Sequence, residues 1–134
     1  MILLTPELRA ALCANHAAHR AAADDDGRDH DPAPVAKLFN PVGAATWLAT
    51  ELYDDGDTLF GLADLGFGCP EMGVFSLSEI ASIRLPFGLR IERDLTFASA
   101  VPLSVWADRA RRLGSIPLAE NQLCRSSADP LPHP

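Results

Sequence analysis

The chain has 134 residues, 48% of them hydrophobic, and a formal net charge of −7. That length suits one ordinary domain with enough apolar material for a core without disulfide or metal staples, and no apolar run approaches the roughly 18–20 residues of a membrane span. Seven carboxylates (Glu51, Asp54, Asp55, Asp57, Asp64, Glu71, Glu79) and no Lys or Arg lie between Leu38 and Ile83, while the rest of the chain holds eleven acidic and eleven basic side chains. The middle segment thus carries the whole net charge. Phosphate recognition needs clustered Lys and Arg, so this distribution argues against direct nucleic-acid binding through the segment.

From the N-terminus, Thr5, Pro6 and Glu7 form a helix start: a capping hydroxyl, a proline at the first helical position and an acid that complements the dipole. Leu4, Leu8 and Leu12 recur at a spacing of four, and Ala-rich sequence carries the helix to about Ala22. Glu7 and Arg9 interrupt this end where a signal peptide needs a positive start and an unbroken apolar block, so a cytoplasmic location is expected. Residues 23–33, with "DDDGRDHDPAP", read as a solvated, mobile loop. "VAKLFNP" reads as a short strand. "ATWLATELY" and "TLFGLADLGF" read as the two strands of a hairpin around the turn "DDGD".

"GCPEMG" then reads as a turn before a short strand "VFS". Ser76 stands three residues before Glu79, the capping-box spacing, and Phe75 and Ile80 occupy the hydrophobic-staple positions. Gly61, Gly66, Gly68 and Gly73 are therefore architecture at a strand-to-helix region, since GxGxxG and GxxxxGK[ST] are both absent. "RIERDLTFAS" alternates Leu95 and Phe97 with Asp94 and Thr96 and reads as a half-buried strand. Pro102 and Ser104 open a closing helix with Leu103, Trp106, Ala107, Ala110 and Leu113 at helical spacing, stopped by Gly114. The expected fold is α+β: an antiparallel sheet of four to five strands with an N-terminal helix, a short middle helix and a C-terminal helix. One domain over residues 1–124 and a disordered Pro-rich tail over 125–134 complete the reading.

The blocks "LLTPEL", "TWLATELYDDGDTLFGLADLG", "GVFSLSEIASI", "PFGLRIERDLTF" and "PLS" follow one another in an order that resembles the bacterial domain-of-unknown-function family numbered 2958. The resemblance spans Met1 to Ser104, apart from the acidic loop. It implies small bacterial proteins often encoded on plasmids and other mobile elements, and brings no mechanism.

Candidate chemistry is sparse. Cys13, His16 and His19 lie on one helix, but that spacing places two ligands on an ion more readily than three, so no metal and no cofactor are expected. Counted from Asp24, the calcium-loop position that needs glutamate holds Val35. Cys13, Cys69 and Cys124 are too far apart for a disulfide framework or zinc ribbon and read as buried or indifferent thiols. Cys69 has no histidine beside it for nucleophilic catalysis. The candidate binding residues are Trp47, Glu51, Asp57, Phe60, Arg84, Glu92 and Arg93, with Trp47 and Phe60 either core residues or anchors of a contact surface. No catalytic residue is assigned.

Three functions follow as expectations. The leading one is a non-enzymatic acidic module that meets a protein with a basic surface, in a sharper version a decoy for a nucleic-acid groove in a host defence complex. The second is a small ligand-binding domain or enzyme in which Arg84 and Arg93 converge with Glu51. The third is a DNA-associated accessory factor using Arg109, Arg111 and Arg112.

Overall fold

The computed structural model describes residues 2–24 and 30–128. Helix α1 (Pro6–Asp24) leads into strands β1 (Ala36–Phe39), β2 (Thr46–Leu52), β3 (Thr58–Asp64) and β4 (Glu71–Ser76). Then come the short helix α2 (Leu77–Ser82), a 3-10 turn at Pro86–Gly88, strand β5 (Glu92–Arg93), and helices α3 (Leu103–Leu113) and α4 (Ile116–Ala128). The strands form one antiparallel sheet in the order β4-β3-β2-β1-β5. The class is α+β, as the sequence implies.

The sheet is covered on both faces at its centre. Leu3, Leu4 and Leu12 from the N-terminal segment and α1, with Leu77 and Ile80 of α2, pack against Leu38, Trp47, Ala49, Leu52 and Leu59 on one face. Leu103, Trp106, Ala107 and Ala110 of α3 and Ile116, Ala119 and Leu123 of α4 cover Leu48 and Leu62 on the other. All seven residues of β2 are consequently buried. Each fully buried leucine contributes roughly 1.5–3 kcal/mol through its removal from water, so the central strand is also the energetic centre.

One glycine is fixed by close approach. A Cβ on Gly61 would lie 1.8 Å from the Leu48 carbonyl oxygen across the β2–β3 ladder. Beside it the register slips: Ala49 faces Gly61 and Glu51 faces Phe60, leaving Thr50 as the extra residue of a β-bulge.

Several local expectations need correcting. β4 begins at Glu71, because Glu71, Met72 and Gly73 pair with Ala63, Leu62 and Gly61, and the turn is confined to the residues before them. The strand expected over 90–99 shrinks to Glu92–Arg93. Asp94 ends it, since its carboxylate accepts from the Thr96 amide and hydroxyl at 3.0 Å each, and its carbonyl accepts from the Phe97 amide at 3.3 Å. This side-chain-to-backbone turn outweighs the alternation of apolar residues and leaves Leu95 exposed.

Helix α4 is an addition to the elements expected from the sequence pattern. Its start is held by Ser115, whose hydroxyl accepts from the Leu118 amide, and by buried Asp64, whose Oδ2 accepts from the Ile116 amide at 2.9 Å. The tail boundary expected at residue 125 falls inside α4, and residues 129–134 lie outside the described residues, as do 25–29 of the acidic loop. Asp31, at the end of that loop, accepts from the Ser104 amide and hydroxyl at the start of α3.

Candidate functional site

The densest polar chemistry lies where α1 crosses β2. The apolar stripe of α1, Leu8 and Leu12, continues as Asn15, His16 and His19, and the bulge in β2 presents matching polar groups. Asn15 donates to the Thr50 carbonyl at 2.9 Å, and the Thr50 hydroxyl donates to the Phe60 carbonyl at 3.2 Å. Glu51, only 2% exposed, meets both imidazoles: Oε1 lies 3.0 Å from His16 Nδ1 and 3.1 Å from His19 Nδ1, and Oε2 lies 2.9 Å from His19 Nδ1.

An ionised carboxylate only accepts hydrogen bonds, so each Nδ1 facing it is the donor. Aromatic neighbours brace the cluster. Tyr53 stacks on His16 with centroids 4.3 Å apart, and His30 stacks on His19 at 5.5 Å. Burial and the negative charge of Glu51 push the Tyr53 hydroxyl above its ordinary value. His30 Nε2 is buried with no hydrogen-bond partner among the described residues.

A carboxylate behind an imidazole orients both general bases and metal-ligating histidines. Here both Nδ1 atoms converge on a single carboxylate. Among the described residues no group of three or more His, Cys, Asp or Glu side chains is arranged to hold a metal ion. What the network does is give the Glu51 carboxylate its donors at a buried crossing of helix and strand, fixing the helix over the bulge.

The sequence-derived candidates disperse over the fold. Trp47 is a core residue, 5% exposed. Asp57 ties the β2–β3 turn to α2: its carboxylate accepts from the Ser76 hydroxyl at 2.7 Å and the Ser78 amide at 2.8 Å. Hydrogen bonds from Ser76 first, then Ser78, hold it below the usual carboxylate range. Phe60 is half-buried at the rim of the second core, opposite Val74. Arg84 is exposed and forms an isolated bridge with Arg90. Glu92 pairs with Phe39 at the β5 edge, and Arg93 donates to the Ile2 and Leu3 carbonyls at 2.7 and 2.8 Å.

Glu51 is thus engaged by His16 and His19, and no described contact joins it to Arg84. Of the C-terminal arginines, Arg109 donates to Gln122 and Arg112 pairs with Asp108 at 3.2 Å. Cys13, Cys69 and Cys124 are all free and exposed rather than buried. Among the described residues no helix is long and apolar enough to cross a membrane.

Another feature is hidden in the sequence. β4 forms one edge of the sheet and is its least buried strand, with Met72 40% and Val74 60% exposed. Both side chains lie on the face of the second core, opposite Leu62 and Phe60, at the margin of α3, whose Arg111 shares a groove with Met72. A groove of about 420 Å³ lined by Gly68, Cys69, Pro70, Glu71, Met72 and Arg111 opens at the start of the strand. The alternation Met72–Gly73–Val74 after a turn is the signal for it, and the glycines around it mask that signal.

Neither the curated proteins nor the solved structures give a significant match. Residues 3–117 match the model of the family described as "Protein of unknown function (DUF2958)", and the chain belongs to that family.

Proposed function

We propose that this protein is a non-enzymatic protein-interaction module that receives an extended segment of a partner along the open edge of β4. The observation that carries the reading is the edge itself: a six-residue strand with two exposed apolar side chains on one face and, among the described residues, no strand paired along its outer side. Strand addition uses such an edge, with main-chain hydrogen bonds supplying affinity and alternate side chains supplying selectivity.

Charge supports a basic partner. Glu71 at the start of β4 and Glu79 on α2 are exposed, and no partner for either carboxylate is found among the described residues. Asp54, Asp55 and Asp57 cluster at the β2–β3 turn, where Arg20 offsets Asp54 at 2.7 Å. This field speeds encounter more than it tightens binding. Cytoplasmic residence and an accessory place on mobile elements, which the family resemblance implies, belong to the same proposal.

Affinity capture from a bacterial lysate tests it, comparing the natural chain with the double variant Met72→Lys, Val74→Lys. A partner retained by the first, lost by the second and weakened by salt supports the reading. Equal retention by both chains removes β4 as the binding edge.

A further inference from the structure

From the register and charge pattern of β4 we infer that a second copy of the same chain can occupy this edge, joining two five-stranded sheets through antiparallel β4–β4 pairing. The inference rests on the reading of β4 as a binding edge; its occupant is a second acidic copy, distinct from the basic partner proposed above, with which it would compete for the same edge.

Directly opposed residues of antiparallel strands lie on the same face, and a twofold axis perpendicular to the sheet keeps each face on its own side. Residues in a self-pairing must therefore be opposed with even separation. Centring the axis on Gly73 sets Met72 opposite the partner's Val74, and Val74 opposite the partner's Met72. The two exposed apolar side chains of each copy then cover those of the other. They adjoin half-buried Phe60 at the rim of the second core.

The same register resolves the charge. Glu71 is the strand's single charged residue. It comes to lie opposite the partner's Phe75, and the two Glu71 residues are separated by four strand steps, about 13 Å at ~3.3 Å per residue. Like charges are therefore not opposed, which is the condition a self-pairing edge must meet. Gly73 meets the partner's Gly73 at the axis, and a Cβ built there touches nothing within its own chain. The opposite edge of the sheet offers no equivalent, since β5 has two residues.

A single strand pair buries less than the roughly 1,200–2,000 Å² of a stable interface, so the dimer is concentration-dependent. Each copy carries −7, so added salt tightens it.

Sedimentation equilibrium over a hundredfold concentration range, at low and raised salt, reads this directly. The natural chain moves toward twice its monomer mass, more completely at raised salt. Met72→Glu and Val74→Lys each weaken the dimer by about 100-fold or more, because each buries two unpaired charges against apolar partners. An equimolar mixture of the two variants restores association, since the register then places one Glu opposite one Lys and one Met opposite one Val. Circular dichroism confirms that both exposed-site variants stay folded. A natural chain that stays monomeric throughout, a dimer indifferent to these substitutions, or a mixture that stays apart overturns the inference. A β4-dependent partner captured from lysate by a monomeric chain would leave the interaction module standing while removing the second copy.

Discussion

The α1–β2 crossing and the β4 edge stand two strands apart in one sheet and treat their polar atoms in opposite ways. At the crossing, a buried carboxylate, two imidazoles, an asparagine and a threonine close a network in which the contacting atoms find one another within 3.2 Å. At the edge, backbone groups and apolar side chains both face outward. The crossing has the composition of an active site and behaves as architecture. The edge has the composition of an ordinary strand and is where the proposed association would take place. A cluster of titratable side chains signals chemistry only when some of its capacity is left over; at the crossing that includes His30 Nε2, buried without a hydrogen-bond partner, whereas β4 leaves the outer side of a whole strand unpaired among the described residues.

The largest test of this contrast bears on the closed region. Gly61→Ala puts a methyl group 1.8 Å from the Leu48 carbonyl. The β2–β3 ladder must open or shift, and because β2 is buried along its whole length the cost reaches the core on both faces. The expected loss is about 3–5 kcal/mol, in the range reserved for mutations that break packing or backbone geometry. Denaturant unfolding measures it. A loss under about 1 kcal/mol would show that the bulge yields cheaply and that the crossing is less rigid than its geometry implies.

Next in size is Glu51→Ala. It leaves two imidazole N–H groups without their acceptor, one of them on His16, whose side chain is 15% exposed, and the expected destabilisation is about 2–3 kcal/mol. His19, at 48% exposed, can turn to water and limits the cost. Glu51→Gln keeps the shape but offers one acceptor oxygen in place of two, so it falls between the natural chain and the alanine variant. The discriminating measurement is hydrogen exchange of α1 amides. Loss of protection concentrated in α1 supports its role as the helix anchor, whereas uniform loss over the sheet assigns Glu51 to the core as a whole.

Much of this fold is readable in the sequence because local signals agree with the tertiary result. The Ser76 cap receives the Glu79 amide at 3.2 Å, Phe75 and Ile80 pack in one core, and Gly114 ends α3 at φ 77°. Pattern misleads where a side chain overrides it or a partner lies far away. Asp94 turns an alternating run into a loop. The α4 start needs Asp64, fifty-two residues earlier, although Ser115 before Pro117 is a helix-start signal in plain view. His16 and His19 are legible as the end of an amphipathic stripe. Their partner Glu51, thirty-five and thirty-two residues away, stands out as a polar candidate, but charge alone matches it to the arginines. Spacing along a helix reports which residues share a face. It does not report what that face meets.

A smaller effect concerns acid. Hydrogen bonds from Thr58 first, and from the Asp57 amide, hold Asp55 below the ordinary value of 3.8, and Ser76 and Ser78 do the same for Asp57. A carboxylate whose folded value is depressed contributes stability that is fully present above its unfolded value and lost as pH falls through the folded one. The contribution of the β2–β3 turn and the α2 cap is therefore intact above about pH 4 and fades below it. Thermal unfolding from about pH 6 down to about pH 2.5 should show a falling midpoint, with a shallower fall in Asp57→Asn. Parallel slopes in the two chains would mean that this exposed cap contributes nothing to the acid response.

The smallest expected effect on stability belongs to Val74→Lys, and it presses hardest on the comparison. Val74 is 60% exposed, so a lysine there keeps its charge in water while its aliphatic stem lies along Phe60. Unfolding free energy should change by no more than about 0.5 kcal/mol, the range typical of surface positions. If the edge were merely the last ordered strand of a closed fold, that would be the end of the matter. If the edge is a binding surface, the same substitution removes association while leaving the fold untouched, and the two measurements part company. A large stability loss would instead show that Val74 belongs to the second core, that the edge is already in use within the monomer, and that the division between a saturated centre and an open rim has been drawn in the wrong place.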